Sequence, residues 1–220
     1  MKEKKTLMRL IAYLTGLLFA VYSAYNVFII VKDKKLPPEG LLISAVVALM
    51  FAVLAVFMWT FEIKPKNKKK ETDKKKKRKK KIRRIRFRII RRAAFLIALL
   101  TLIGLKLRMS YQVIDFIDVT KPQTVLYGVA YIFTVVGMLI LFVFYAFIRK
   151  RYLLFPKAAA LLPKIAMVLF LCSLILEAIL FLAYGIGAES STLRNIVIRP
   201  VFYLGFIGLS AFFLYPPQSK

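Results

Sequence analysis

Long apolar runs separated by short polar segments dominate this 220-residue chain. A helix needs about 20 predominantly apolar residues to cross a hydrocarbon layer of roughly 30 Å. Prolines and charges interrupt the runs, as at Pro37-Pro38 and Lys64-Pro65, because proline cannot continue a helix and charges belong in water. The pattern predicts an all-α polytopic integral membrane bundle of about six transmembrane helices, at about 7–31, 41–63, 93–111, 124–148, 165–187 and 196–215.

The third and sixth runs are the weakest of the six. The third has only 13 apolar residues, from Ala93 to Leu105, so a crossing requires Lys106 and Arg108 to extend outward and Arg91-Arg92 to mark the other boundary. The sixth contains Arg199-Pro200 near its start. A shorter re-entrant segment is therefore the alternative there, and one transmembrane domain over 1–220 is the expected organisation.

The amino-acid composition indicates a protein that lies in a lipid bilayer, and it argues against most catalytic mechanisms. The chain is 60% hydrophobic, well above the share in soluble domains. It has one cysteine, Cys172, and no histidine, which excludes an internal disulfide and removes the usual general base and metal ligand. We therefore expect no metal and no cofactor, and a protein that is not an enzyme.

The orientation depends on one charged segment, "KNKKKETDKKKKRKKKIRRIRFRIIRR", from Lys66 to Arg92. Loops on the cytoplasmic side of a membrane retain Lys and Arg. With the amino terminus inside, inner segments hold 29 of the 37 basic residues. Both termini are thus expected in the cytoplasm, in a multi-pass protein of the cell membrane. Without the polybasic loop at 64–92 the division is only 10 to 8.

The polybasic loop also predicts what one face of the protein binds. Self-repulsion disfavours compact structure from Lys64 to about Lys80. At 82–92, isoleucines spaced by three and four among arginines predict a basic amphipathic segment that lies on the membrane surface and continues into the third helix. The residues expected to bind anionic lipid head groups or an acidic partner are Lys74, Lys75, Lys76, Lys77, Arg78, Lys79, Lys80, Lys81, Arg83, Arg84, Arg86 and Arg88.

Three kinds of partner fit this charge. Anionic lipid is favoured, since each basic residue near an anionic leaflet is worth roughly 1 kcal/mol. An acidic cytoplasmic protein would use the same side chains. A nucleic acid is less favoured, because the block has one aromatic residue, Phe87, for stacking on bases. The preferred function is a non-enzymatic subunit or accessory of a larger membrane assembly; the sequence does not indicate the oligomeric state.

Glu177 is the principal candidate within the apolar runs. It stands near the middle of the fifth run, where a carboxylate is costly and often functional. Its expected partners are Lys106 and Arg108 on the third helix or Arg199 on the sixth. A structural pair is one interpretation. The alternative is a transporter or substrate-binding membrane subunit organised around this carboxylate.

Two further features are weaker. Asp115 and Asp118 lie three apart in an outer loop, a spacing that suits a cation or acid-base pair, although a surface-lying amphipathic segment is favoured. Small residues spaced by four predict close packing of helices one and two, with Ser23 and Asn26 as polar groups beside the contact. The small residues are Gly16, Ala20, Ala24, Ala48 and Ala52; Gly205 and Gly208, spaced by three, lack this pattern.

Overall fold

The computed structural model of the chain describes residues 2–32, 37–60, 74–118, 120–149, 154–184 and 198–214. Within these ranges, side chains are described except at 2–5, 74–85, 88, 110–113, 115, 116 and 184. The first part of the polybasic loop, 64–73, therefore lies outside the described residues, as do several expected helix ends.

All six helices of the described chain are α-helical over most of their length, which confirms the all-α fold. α4 continues into a π-helical turn at Phe144–Ile148. The helices are α1 (Lys2–Lys32), α2 (Pro38–Thr60), α3 (Lys74–Phe116), α4 (Pro122–Val143), α5 (Pro156–Tyr184) and α6 (Arg199–Phe213).

Three prolines begin helices in the described part of the chain. Pro38, Pro122 and Pro156 are the first residues of α2, α4 and α5, a position where the missing N–H costs nothing and the fixed φ suits the helix. Pro163, expected to open the fifth helix, instead lies inside α5. Ala159, in the turn before it, is 2% exposed. Because α5 begins before Pro163, the helix gains a buried turn. In return it loses the one backbone hydrogen bond that Pro163 cannot donate.

The helices form a closed ring in which each packs on its neighbours in sequence and α6 returns to α1. The pairing is antiparallel throughout. Along α1 and α2, for example, Tyr13 contacts Trp59 while Ser23 contacts Ala48. Consecutive helices therefore alternate in direction. We call the end where α2 and α4 finish the basic end, and the end where α6 begins the opposite end.

Four helices are long and apolar enough to cross a membrane: Thr6–Lys32, Pro38–Thr60, Pro122–Ile148 and Pro156–Ala183. α6 is apolar but has only 15 residues, about 22 Å of helix. The apolar part of α3 lies between Arg92 and Lys106. The structure thus describes a multi-pass membrane protein on the basis of four spans.

Aromatic rings fill the interior of the bundle. Phe19, Phe51 and Phe206 meet with centroids 5.5, 5.6 and 6.2 Å apart. Nearer the basic end, the ring of Tyr145 lies 4.4 Å from Phe95 and 5.5 Å from Phe213. Lipid tails are as apolar as these side chains, so close packing, rather than exclusion from lipid, holds such helices together.

Part of the predicted small-residue pattern packs α1 against α2: Gly16 and Ala48 lie at this contact, whereas Ala24 is exposed and Ala52 faces a groove between α2 and α3. Gly16 faces the Trp59 indole, where an added Cβ would lie 2.3 Å from Nε1. Ser23 donates a 2.7 Å hydrogen bond across the contact to the carbonyl of Ala48. Asn26 donates instead within its own helix, to the carbonyl of Tyr22.

The glycines of α6 also face α1, which their spacing did not predict. A Cβ on Gly208 would lie 2.2 Å from Oγ1 of Thr15, and a Cβ on Gly205 would lie 2.6 Å from the ring of Phe19. These two positions allow α6 to approach α1 and close the ring.

Candidate functional site

The amino-terminal part of α3 extends far beyond the rest of the basic end. Arg91 lies beside Thr60, the last residue of α2, to whose carbonyl its Nη1 donates at 2.9 Å. α3 begins at Lys74, 17 residues before Arg91, which corresponds to about 25 Å along the helix axis. We call residues 74–90 the basic arm. It carries twelve basic and no acidic residues.

The basic arm and the following apolar stretch belong to one helix. A helix that lies on the membrane surface and then crosses the membrane needs a sharp bend, and sharp bends occur at proline, glycine or π-bulges. The chain has neither Pro nor Gly from 74 to 103, and α3 is α-helical throughout that range. The arm therefore continues along the axis of the apolar part of α3.

Residues 74–80 are helical, whereas the charge density predicted no ordered structure for them. A helix extends from an existing helix at little cost, because only its nucleus is unfavourable. Lys and Arg are also good helix formers. An extended helix separates the charges along its axis, which a compact fold would not do. Of the lipid- or partner-binding residues, Arg86 has a described side chain, and it is exposed.

Three arginines gather at the root of the basic arm. Arg91 lies over the ring of Phe57, 5.8 Å from its centroid. Arg149 lies over Phe213 and Tyr145, at 4.8 and 5.2 Å, and is close enough to Arg91 and Arg92 to interact with their charges. Aromatic faces attract guanidinium groups, so the bundle's own rings hold part of this charge in place.

At the opposite end, Glu177 joins α5 to α6. Oη of Tyr203 donates a 2.6 Å hydrogen bond to Oε1 of Glu177, and Nη1 of Arg199 lies 3.5 Å from Oε2. The Glu177 side chain is 16% exposed. Arg199 is the first residue of α6 and Tyr203 follows it by one turn, so both face the same carboxylate.

Glu177 is not central in its helix. α5 begins at Pro156 and ends at Tyr184, which leaves Glu177 seven residues, about 10 Å, from the carboxyl end. The expected midplane position followed from a helix assumed to start at Ile165. With the longer α5, the carboxylate lies in the third of the helix nearest the opposite end.

Lys106 lies inside the bundle rather than extending outward. Its Nζ is 5.2 Å from the centroid of Tyr131 and 5.5 Å from that of Phe202. Tyr131 in turn donates a hydrogen bond to the Lys106 carbonyl. Lys106 is also within electrostatic range of Glu177 and Arg199. Two cations, Lys106 and Arg199, thus accompany one carboxylate.

Arg108, the other expected partner on α3, lies elsewhere. Its Nη2 is 3.8 Å from Oε2 of Glu39 on α2, and both side chains are more than two thirds exposed. Exposed pairs of this kind contribute little to stability. Of the expected partners, the structure thus brings Arg199 and Lys106 to Glu177, and not Arg108.

Buried hydroxyls extend the polar contacts between α4, α5 and α6. The Ser173 hydroxyl lies within hydrogen-bond distance of two carbonyl oxygens, 3.0 Å from that of Ala130 and 2.9 Å from that of Leu169. Oγ1 of Thr134 lies 3.3 Å from Oγ of Ser173 and 3.4 Å from Oη of Tyr203. Tyr203, Thr134 and Ser173 were not among the site residues that the sequence predicted. Single hydroxyl residues within apolar runs form no pattern in the sequence that would mark them as part of a site.

Asp118 caps the turn between α3 and α4. Its Oδ1 accepts hydrogen bonds from the hydroxyl and backbone N–H of Thr120, at 2.6 and 3.0 Å, and Nζ of Lys121 lies 3.2 Å from Oδ2. The Thr120 bonds, followed by Lys121, lower the pKa of the Asp118 carboxyl. Asp115 lies in the last turn of α3, and its side chain is outside the described residues. Asp118 therefore has a local role in the turn.

Charge is divided between the two ends of the bundle. Where side chains are described, the carboxylates are Glu39, Asp118 and Glu177, all at the opposite end. In the same part of the chain, no group of three histidine, cysteine or acidic residues is placed to hold a metal ion. Basic side chains thus predominate at the basic end, and the described carboxylates lie at the opposite end.

These features define a multi-pass α-helical membrane protein with one strongly basic end. Comparison with known protein families, curated proteins and solved structures finds no match for this chain.

Proposed function

We propose that this chain is a non-enzymatic protein of the cell membrane that presents its basic arm to an acidic protein in the cytoplasm. It would act as a subunit or accessory of a larger membrane assembly. The observation that supports this most directly is the continuity of α3, which joins the arm to the bundle from Lys74 to Phe116 without a break.

The length of the arm favours a protein partner over lipid for its outer part. Lys81 and Lys74 precede Arg92 by 11 and 18 residues, about 17 and 27 Å along a helix. If Arg92 marks the head-group boundary, both lie beyond the screening length of about 8 Å at physiological salt. Lipid head groups would attract the root of the arm, and the outer lysines would remain for a macromolecule.

Nucleic acid is less well supported than an acidic protein. Proteins that bind single strands stack several aromatic side chains on the bases, whereas the arm has one, Phe87. Phe87 lies against α2, where it lines a groove with Val53 and Val56. It is therefore placed at the root of the arm, toward the bundle.

The proposed orientation places the basic end and both termini in the cytoplasm, with six crossings. The positive-inside bias supports it, as does the antiparallel ring. From Arg92 to Phe116 α3 covers 25 residues, about 37 Å, which is long enough to cross. Lys106, within this stretch, has its amine over two aromatic rings, which reduces the cost of a cation at that depth.

Glu177 has a structural role in this proposal. Its carboxylate accepts from Tyr203 and lies beside Arg199, both on α6, so it ties α5 to the helix that closes the ring. Intramembrane polar contacts between helices commonly serve such packing. A transport function would need a path to this carboxylate, and the described geometry favours the helix contact.

The test compares three forms of the full chain in detergent: wild type, a neutral arm and a charge-retaining arm. The neutral arm replaces the eight basic residues 74–81 with glutamine, which keeps helix propensity. The control replaces only the seven lysines among them with arginine. After cross-linking in cells, we expect wild type and control to retain the same acidic protein, attached at the arm, and the neutral arm to lose it.

Salt and nuclease distinguish the partner classes. Binding to an acidic protein should weaken as salt rises and persist after nuclease treatment. Retention of the same partners by the neutral arm would contradict the proposal. Loss of the captured material on nuclease treatment would assign the arm to nucleic acid instead.

A further inference from the structure

An apolar groove runs between α2 and α3 toward the root of the basic arm. Its volume is about 290 Å³, at the small end for ligand pockets. Ala52 and Ala94 contribute small side chains to its lining, and Val53 and Val56 line it from α2. Val56 and Ile90, which also lines it, are 53% and 65% exposed. The groove is therefore open to the outside of the bundle, where lipid lies in a membrane.

A cation closes one end of the groove. Arg91 and Thr60 both line it, and the hydrogen bond from Arg91 to the Thr60 carbonyl fixes the guanidinium there. Thr60 ends α2, so its carbonyl has no partner within the helix, and a cation also complements the helix dipole. A guanidinium carries five N–H groups in a planar fork that matches the oxygens of a phosphate.

We infer that this groove binds an anionic phospholipid, with part of an acyl chain between α2 and α3 and the phosphate at Arg91. The inference goes beyond the proposed function, since it concerns the root of α3 and not the outer arm. Basic sites between helices on the cytoplasmic side of membrane proteins are known to hold such head groups.

Charge complementarity selects this occupant. Arg92 and Arg149 reinforce the positive charge around Arg91, and the sequence from Lys64 to Arg92 has 19 basic residues and two acidic ones. A second copy of the chain, related by a two-fold axis at this face, would bring its own Arg91 and Arg92 against the first pair. A phospholipid instead supplies both an apolar chain, which the groove can hold, and an anion, which Arg91 can bind at the end of the same groove.

The test titrates phosphatidylglycerol and phosphatidylcholine, matched in acyl chains, into the detergent-solubilised full chain and counts bound lipids by native mass spectrometry. We expect a preference of tenfold or more for phosphatidylglycerol in the wild type. Arg91→Gln should reduce it roughly tenfold, as the loss of one charge-assisted contact implies. Lys157→Gln is the matched control: it removes an exposed charge at the same end of the bundle, from α5 and away from the groove lining.

A second variant tests the acyl-chain part of the groove without changing charge. Ala94→Phe should fill the space between the helices and lower retention of both lipids, and it keeps the inference testable if Arg91→Gln does not fold. Inorganic phosphate should not displace the bound lipid, because it cannot occupy the apolar groove. Equal binding of the two lipids to the wild type, equal losses in Arg91→Gln and Lys157→Gln, or displacement by phosphate would each overturn the inference.

Discussion

At the scale of single residues, the contacts of Glu177 show why a carboxylate is tolerated within apolar helices. Its Oε1 accepts from Tyr203, and its Oε2 lies beside Arg199. Removing one partner of a buried charge leaves the other without compensation, and this loss exceeds the net contribution of the intact pair. Because Arg199 is more than a third exposed, water screens part of that loss.

We expect Tyr203→Phe to destabilise the bundle by about 1–2 kcal/mol, because it deletes a hydrogen bond to a charged group. Glu177→Gln should also destabilise it, since two cations lose their counter-charge. Unfolding in detergent mixtures, followed by fluorescence of the single Trp59, measures both.

In a double-mutant cycle, Glu177→Gln with Arg199→Gln should cost less than the sum of the single changes. Simple additivity would argue against a coupled pair.

The sequence identified Glu177 as costly and named Arg199 among its partners, because charge within an apolar run is visible in one dimension. It did not identify Tyr203. A tyrosine among aromatic residues has no distinguishing pattern until the register of α5 and α6 is known. Lys106 was expected to reach outward for a similar reason, since only the fold shows that Tyr131 and Phe202 supply aromatic faces around it.

At the scale of helices, glycine positions control how closely α6 approaches α1. The neighbour of Gly208 is Thr15, a β-branched residue with 2% exposure, so it has little freedom to move. Gly104 of α3 provides the contrast, because an added Cβ there would meet nothing within 4 Å.

Gly208→Ala should therefore destabilise the protein by about 1–3 kcal/mol, the usual range for overpacking. Gly104→Ala should be neutral or stabilise it by up to about 1 kcal/mol, because alanine is the better helix former. The unfolding assay described for Tyr203→Phe measures the stability of both glycine variants. Equal effects of the two substitutions would show that contact with α1 does not explain Gly208.

Hydrophobic runs predicted the existence and type of the helices better than their ends. Pro38 was interpreted as a break, although proline also suits a first helical turn. Pro163 was expected to open the fifth helix, and it lies inside α5 instead. α3 departs furthest from expectation: it begins at Lys74, whereas the pattern predicted a helical segment from residue 82 that continues into a membrane span from Ala93. Local charge density predicts repulsion, but the attached apolar helix supplies a nucleus from which the arm extends.

At the scale of the whole molecule, the antiparallel ring separates two chemical environments. The basic arm, Arg91 and Arg149 share one end, whereas the described carboxylates share the other. The charge pattern along the sequence predicted this separation in outline. The helical structure of residues 74–80 added what the pattern did not contain, namely that much of the charge stands away from the bundle on a helix.

Cysteine labelling in intact cells tests the central claim, that the basic end faces the cytoplasm. In a Cys172→Ala background, Arg86→Cys and Lys121→Cys introduce one thiol at exposed positions of the basic and opposite ends. A membrane-impermeant maleimide should label Lys121→Cys in intact cells, and Arg86→Cys only after permeabilisation. Labelling of Arg86→Cys from outside, with Lys121→Cys protected, would contradict the orientation and the proposed cytoplasmic partner together.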